Sequence, residues 1–227
     1  MNTNCRVIIV SFPRGSGGKC VINCLGFSDS ATIMHHELAY ANAKQKSDYF
    51  TTNFRETLKT STWNDLGLTS AKFVGQAGSF DNNDSFKPHE LEKLYDDLHF
   101  YDEFKTLLKG KRDIFLVAHS IPATQVFQRC YNKTRTIRLV NTANVIYKRS
   151  QYKDVIPKHV HIELSKISEQ ELDNFIPWDC KWFENENIFI KNIERLYDEL
   201  GYSDFSTALP YIKKYYKHWT RVLSALK

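Results

Sequence analysis

The stretch that decides the fold runs from Arg6 to Cys20 and reads Arg-Val-Ile-Ile-Val-Ser-Phe-Pro-Arg-Gly-Ser-Gly-Gly-Lys-Cys. Its first half, Arg6 to Phe12, is a largely apolar, β-branched run, which is typical of a strand covered on both faces, as in parallel sheets. A glycine-rich turn follows at residues 15–18, and Lys19 to Leu25 have the pattern of a helix that ends near Gly26. The order strand, glycine turn, helix predicts a loop that binds phosphate.

The rest of the chain alternates the same two kinds of segment. Further buried strands are predicted at Asp113 to Ala118, Thr136 to Val140 and His159 to Leu164, with a short one at 72–74. Helices are predicted within residues 30–60, 88–108, 142–151, 184–200 and 207–225, and one begins at Pro122. This alternation predicts a single domain over residues 1–227, a three-layer P-loop-type α/β fold whose mostly parallel central sheet is flanked by helices.

Composition narrows the class of protein. The length of 227 residues suits one α/β domain, and the net charge of +5 suits an anionic ligand without the dense basic block of a nucleic-acid arm. No segment has the pattern of a signal peptide or the length of a membrane span. These observations predict a cytoplasmic protein with no nucleic-acid or membrane partner. The cysteines match no zinc or redox pattern, which predicts free thiols in a reducing compartment: Cys5, Cys20, Cys24, Cys130, Cys180.

The turn after the first strand carries the predicted chemistry. Glycines let backbone N–H groups face a phosphate, and the helix N-terminus adds about half a positive charge behind them. Arg14 or Lys19 can neutralise phosphate oxygens directly. The predicted nucleotide-binding residues of this turn are Pro13, Arg14, Gly15, Ser16, Gly17, Gly18, Lys19 and Cys20.

The segment comes close to the Walker A pattern, because Gly18 and Lys19 are in place. Two positions differ: Pro13 replaces the first glycine, and Cys20 replaces the Ser/Thr that holds magnesium. A thiol is a poor magnesium ligand, so magnesium–ATP hydrolysis is disfavoured and no metal site is predicted. Two alternatives stay open, a kinase that uses Lys19 on ATP and a glycine-rich turn that binds nothing.

The same segment resembles the first phosphate-binding loop of the sulfotransferase family, which reads Pro-Lys-Ser-Gly-Thr-Thr or Pro-Arg-Ser-Gly-Ser-Thr. Pro13 keeps the proline of that loop and Arg14 takes the place of its basic residue. Residues 15–18, Gly-Ser-Gly-Gly, fill the other four positions. The family needs no magnesium ligand here, so Cys20 fits this resemblance better than it fits Walker A.

Two later segments extend the resemblance in the same chain order. Ala118-His119-Ser120-Ile121-Pro122 is similar to the Thr-His-Leu-Pro that ends a strand in the family, where the histidine is the general base. Residues 138–145, together with Ser150, are similar to a third segment of the family, in which a strand is followed by Arg-Asn-Pro-Arg-Asp-Val and then by a serine on the next helix. Asn141 stands where the family has its arginine for the 3′-phosphate. Arg149 stands at the position where the family has its serine, and Ser150 comes one residue later. Arg138 or Arg149 could supply the missing charge.

The resemblance implies an enzyme that transfers a sulfuryl group from 3′-phosphoadenosine 5′-phosphosulfate, without a metal, to a hydroxyl or amine of a small molecule or glycan. It implies that His119 is the base, that Arg14 and Lys19 stabilise developing charge, and that Asn141, Arg149 and Ser150 help to bind the donor. His119 could instead cap a helix or lie in the core. The chain could also be a non-catalytic nucleotide-binding module on a degenerate P-loop.

Overall fold

The computed structural model describes residues 5–12, 16–34, 50–51, 55, 109–118, 121–131, 133–142 and 174–225, and the elements are numbered within these. The strands are β1 Val7–Ser11, β2 Ala31–Met34, β3 Phe50–Thr51, β4 Asp113–Ala118, β5 Thr134–Val140 and β6 Phe175–Asp179. The helices are α1 Gly18–Leu25, α2 Ile121–Cys130, α3 Glu186–Leu200 and α4 Phe205–Ala225. A short 3₁₀ helix, Cys180–Glu184, joins β6 to α3.

These strands form one sheet in the order β3-β2-β4-β1-β5-β6. Strand β1 lies between β4 and β5 and pairs in parallel with both. Strands β2 and β6 extend the parallel part on either side, and only β3 is antiparallel to its neighbour. The parallel strands therefore begin at a common amino edge and end at a common carboxyl edge. The predicted α/β class with a mostly parallel sheet is confirmed.

Helices cover both faces of the sheet. Alternate residues of β1 point to opposite sides, so its side chains contact the helices of both faces. On one face, Ile8 and Val10 join a core that includes residues of α1, α3 and α4. On the other face, Ser11 of β1 bonds to Thr124 of α2. The described elements therefore make three layers, with β1 buried on both sides, as its apolar run predicts.

Aromatic side chains fill the core beneath β6. The Trp178 side chain is fully buried and meets the rings of Trp182 and Phe189 edge to face, with centroids 5.3 and 5.5 Å apart. Asn185 caps α3 by accepting from the N–H groups of residues 187 and 188. At the other end Gly201, with φ of 73°, terminates the helix in the left-handed conformation.

Two polar clusters lie at the amino edge of the sheet. In the Asp113 cluster, both carboxylate oxygens of Asp113 accept from Arg6, and Oδ2 also accepts from the Tyr202 hydroxyl at 2.7 Å. In the Asp204 cluster, Asp204 accepts from Ser28, from the Asp29 N–H and from the Arg55 guanidinium at 2.7–2.8 Å. Both clusters bind the segment that links α3 to α4, so this linker is held to the sheet.

Most predicted elements within the described residues are confirmed, with shifts of one to three residues at their ends. This holds for β1, α1, β4, β5, α2, α3 and α4. The helical interpretation of residues 30–60 is wrong at 31–34 and 50–51, which are strands. The strands predicted at 72–74 and 159–164, the helix predicted at 88–108 and nearly all of that at 142–151 lie outside the described residues. Among the described helices, none is long and apolar enough to cross a membrane.

Candidate anion-binding site

The turn between β1 and α1 lies at the carboxyl edge of the sheet. From β1 the chain passes through α1 on one face, whereas from the adjacent β4 it passes through α2 on the other. Neighbouring strands whose connections leave to opposite faces open a crevice at their carboxyl ends, where ligands of open α/β sheets bind. The turn that opens α1 therefore lies at the place in this fold that is suited to a ligand.

The N-terminus of α1 combines a glycine cap with a first turn that has no acidic residue. Its N-cap is Gly17, with φ of 95° and ψ of 11°, a left-handed conformation that glycine adopts without a steric penalty. The first turn, Gly-Lys-Cys-Val, contains no carboxylate. The first N–H groups of an α-helix lack the usual acceptor four residues back; here the Cys20 N–H donates to the Gly17 carbonyl instead, and the glycine cap supplies no side-chain oxygen for the N–H groups before it. Negative charge at this end is stabilised by the helix dipole.

Gly18 is required for a different reason, which is space. A Cβ atom built on Gly18 would lie 2.0 Å from Cδ1 of Phe12. The buried Phe12 ring thus packs directly against the first residue of α1. Of the two glycines in the described part of the turn, Gly17 serves the backbone conformation and Gly18 serves close packing between strand and helix.

The cysteines near the turn belong to the core. Cys20 and Cys24 are buried one helical turn apart on the face of α1 that packs into the core. Burial, together with a hydrogen bond to Cys20, raises the pKa of the Cys24 thiol well above its usual value. The buried Cys180 thiol donates to the Ser16 carbonyl at 3.7 Å, which connects the turn to the start of the 3₁₀ helix. Cys5, Cys20, Cys24 and Cys180 are free thiols, as predicted.

A buried polar network lies on the α2 face beneath the end of β1. The Ser11 hydroxyl oxygen accepts from Nη1 of Arg138 at 2.7 Å and from the Thr124 hydroxyl at 2.9 Å. We call Ser11, Thr124 and Arg138 the Arg138 network. Neither Ser11 nor Thr124 is among the predicted site residues; the available signal was a lone hydroxyl inside the apolar run of β1.

Asn141 lies at the same edge, at the end of β5, in the left-handed conformation with φ of 54°. Its side-chain amide donates to Oδ2 of Asp179, at 2.9 Å. The other carboxylate oxygen of Asp179 accepts from the N–H of Lys181 at 2.8 Å. The Asn141 side chain thus joins the ends of β5 and β6, at the position where the sulfotransferase resemblance calls for an arginine.

The described part of the turn, residues 16–20, and Asn141 are therefore brought to one edge of the sheet. Within the turn Ser16 is buried, Lys19 is half-buried on the first turn of α1, and the N–H of Cys20 donates to the Gly17 carbonyl at 2.9 Å. The other predicted site residues lie outside the described part of the chain: Pro13, Arg14, Gly15, His119, Arg149 and Ser150.

Comparison with known proteins adds no relative, since no family model and no curated protein matches this sequence. In the ranges that the structure describes, no group of three or more metal-ligating side chains comes together. The features that bear on function are thus the glycine-capped N-terminus of α1, its place at the carboxyl edge, and the polar network beneath it.

Proposed function

We propose that the protein is a sulfotransferase-like enzyme that transfers a sulfuryl group from 3′-phosphoadenosine 5′-phosphosulfate to a hydroxyl or amine acceptor. The observation that carries this proposal is the glycine-capped α1 N-terminus, free of carboxylates, at the crevice between β1 and β4. Such a terminus favours a phosphate or sulfate group, because its N–H groups donate and its dipole is positive. The donor has both groups.

The location of Cys20 supports a sulfuryl donor over magnesium–ATP. In a Walker A loop this position supplies the hydroxyl that holds magnesium. Here the side chain is a thiol that is buried in the core on α1. Magnesium prefers oxygen ligands, so this position does not provide the contact that a P-loop kinase requires.

In the proposed reaction the donor supplies an activated sulfuryl group, and the chain positions it and moves a proton. A bond forms between the acceptor atom and sulfur while the bond from sulfur to the bridging phosphate oxygen breaks. His119 takes the acceptor proton, and 3′-phosphoadenosine 5′-phosphate leaves. Arg14 and Lys19 offset the negative charge that develops on the leaving oxygen.

Titration calorimetry with 3′-phosphoadenosine 5′-phosphate in EDTA tests the proposal. We expect binding without magnesium, and binding weakened about tenfold or more in Lys19→Ala, since a hydrogen bond to a charged group contributes about 1.5–3 kcal/mol. Lys181→Ala, which removes an exposed lysine on the 3₁₀ helix, is the matched control. The proposal fails if the nucleotide does not bind while ATP–magnesium does.

The bond between Asn141 and Asp179 favours one alternative, a nucleotide-binding module without sulfuryl transfer. At this position the amide of Asn141 is engaged within the protein, where the resemblance expects an arginine for the 3′-phosphate. Comparing 3′-phosphoadenosine 5′-phosphate with adenosine 5′-phosphate separates the two functions. Equal affinity would show that the 3′-phosphate is not recognised and would support the module.

A further inference from the structure

A cluster of exposed cations lies at the amino edge of the sheet, opposite to the turn that opens α1. Lys109, Lys111 and Arg112 lead into β4. Arg135 is the second residue of β5, and Arg129 lies in the last turn of α2. All five residues are exposed, and none of them forms an ion pair with the described part of the chain. We call these five residues the basic edge.

The topology brings these cations together from separate segments. Strand β1 lies between β4 and β5, so the starts of the two outer strands are about 10 Å apart. Val7 pairs in register with both Ile114 of β4 and Thr134 of β5, so both strands begin at the same level. The Gln128 side chain donates to the Thr136 hydroxyl at 2.9 Å, which holds the last turn of α2 beside β5.

The positive charge of the chain is concentrated in this region. Residues 109–135 contain six Lys or Arg residues and one carboxylate, so this segment alone carries a charge of +5, equal to the net charge of the entire chain. The carboxylate, Asp113, is buried and paired with Arg6. Solubility requires a net charge but does not require it at one edge, where like charges repel each other. An anionic partner would offset that repulsion.

The shape of the basic edge favours an extended partner over a flat one. The Thr136 side chain faces α2, so the adjacent Arg135 points to the opposite face of the sheet, whereas Arg129 belongs to α2 itself. The basic edge therefore curves around the sheet from one helical layer to the other. A flat lipid surface would contact only part of it, whereas an extended chain can follow it.

The chemistry of the basic edge favours carboxylates over nucleotides. Proteins that bind single-stranded nucleic acids combine cations with aromatic side chains on which the bases stack. None of the five residues of the basic edge is aromatic. Carboxylates need only the charged N–H donors of Lys and Arg, with which they form charge-assisted hydrogen bonds.

We infer that the basic edge is a docking surface for an extended polypeptide segment of a partner protein, rich in Asp and Glu. The inference goes beyond the proposed function and does not rest on it, because the basic edge and the glycine turn lie at opposite edges of the sheet. The partner would therefore leave the turn accessible to its ligand.

A fluorescently labelled peptide of alternating glutamate and serine tests the inference by anisotropy at low ionic strength. We expect the triple variant Lys111→Gln, Arg112→Gln, Arg135→Gln to bind the peptide about fivefold or more weakly than wild type, because three exposed ion pairs are lost. The control variant Lys181→Gln, Lys191→Gln, Lys213→Gln removes the same charge at exposed positions elsewhere and should stay within about twofold of wild type.

Three comparisons can overturn the inference. Equal losses in the two triple variants would show that net charge, and not the basic edge, attracts the peptide. A peptide with glutamine in place of glutamate should not bind, and binding that persists would exclude a role for carboxylates. Tighter binding of an oligothymidine or of phosphatidylserine vesicles, lost in the basic-edge variant, would assign this surface to a different partner. Urea unfolding confirms that each variant is folded under the conditions of the titration.

The outcomes for the two proposals can be told apart. Inorganic sulfate, followed by NMR at the amide signals of Gly17 and Gly18, probes the turn, and its binding there should be the same in both triple variants. Wild-type protein that binds the acidic peptide but not 3′-phosphoadenosine 5′-phosphate contradicts the sulfotransferase proposal and supports the docking surface. Protein that binds the nucleotide but not the peptide overturns the docking surface alone.

Discussion

At the amino edge of the sheet two carboxylates, the buried Asp113 and the half-buried Asp204, accept hydrogen bonds from several donors, whereas at the carboxyl edge a helix N-terminus presents its own donors. Asp113 and Asp204 each accept at least three hydrogen bonds from within the protein. At the carboxyl edge, Gly17 caps the N-terminus of α1 and the Arg138 guanidinium donates to the Ser11 hydroxyl at the end of β1. The amino edge is thus bonded within the fold around its carboxylates, whereas the carboxyl edge, beside its own internal bonds, also presents the N-terminus of α1.

The difference teaches that polar groups at the two edges serve different ends. A carboxylate whose oxygens are already bonded inside the fold contributes to stability, and removing it leaves its partners buried without acceptors. Donors at a helix N-terminus at the carboxyl edge gain most when an anion arrives. Substitutions of the amino-edge carboxylates should therefore change stability, and those at the α1 N-terminus should change anion binding as well.

The largest effect is expected from Asp113→Ala at the amino edge. This change leaves the buried Tyr202 hydroxyl without this acceptor and leaves the partly exposed Arg6 guanidinium with its bond to the Leu200 carbonyl, so we expect the free energy of unfolding to fall by about 3 kcal/mol. Urea denaturation measures the loss, with Asp198→Ala, an exposed carboxylate on α3, as control. Sulfate affinity of the molecules that remain folded should not change; a change would show that the two edges are coupled.

A smaller effect on stability, joined to an effect on binding, is expected from Gly18→Ala. The added Cβ would collide with the Phe12 ring, and overpacking of this kind costs about 1–3 kcal/mol. We also expect weaker sulfate binding, because relief of the clash must move the start of α1. Gly201→Ala, where no atom lies within 4 Å but φ is +73°, should cost about 1 kcal/mol and leave binding intact.

The double variant Phe12→Leu, Gly18→Ala sharpens this test. A smaller side chain at position 12 gives the new methyl group room, so part of the stability should return relative to Gly18→Ala. If the double variant is no more stable than Gly18→Ala, the close approach of Phe12 is not the reason for the glycine.

The smallest effect is expected from alkaline pH, again at the amino edge. Burial and the Asp113 carboxylate raise the pKa of the Cys5 thiol from 9.0 to about 11. Between these values the unfolded chain loses its proton while the folded protein keeps it, so stability declines as pH rises. Cys5→Ala should therefore reduce the loss between pH 8 and pH 10 by about 1 kcal/mol. An identical pH dependence in the variant and in wild type would contradict this.

Much of the fold was predictable because its signals are local. The apolar run of β1, the glycines after it and the spacing of apolar residues in α3 each lie within one short segment. Strand β6 was missed, because it has five residues and contains Pro177, which usually argues against a strand. In the described sheet β6 is an edge strand, the place where proline is tolerated. The short strand β2 was missed inside a polar stretch with no alternating pattern.

Less of the site was predictable, because its contacts join distant parts of the chain. Ser11 and Arg138 are 127 residues apart, and neither belongs to a motif of its own. The glycine turn was predicted from its neighbours in sequence, yet the separate reasons for Gly17 and Gly18 emerge only from a backbone angle and from the Phe12 ring. That Cys20 faces the core could be read only after α1 had been placed against α3 and α4.

The link between the Asp113 cluster and the α3–α4 segment also has a consequence during synthesis. Asp113 and Tyr202 are 89 residues apart, so after Asp113 has been made the ribosome needs on the order of ten seconds to reach Tyr202. Until then the nascent chain carries Arg6 and Asp113 at an unfinished sheet edge. Completion of the amino edge therefore waits for the α3–α4 segment.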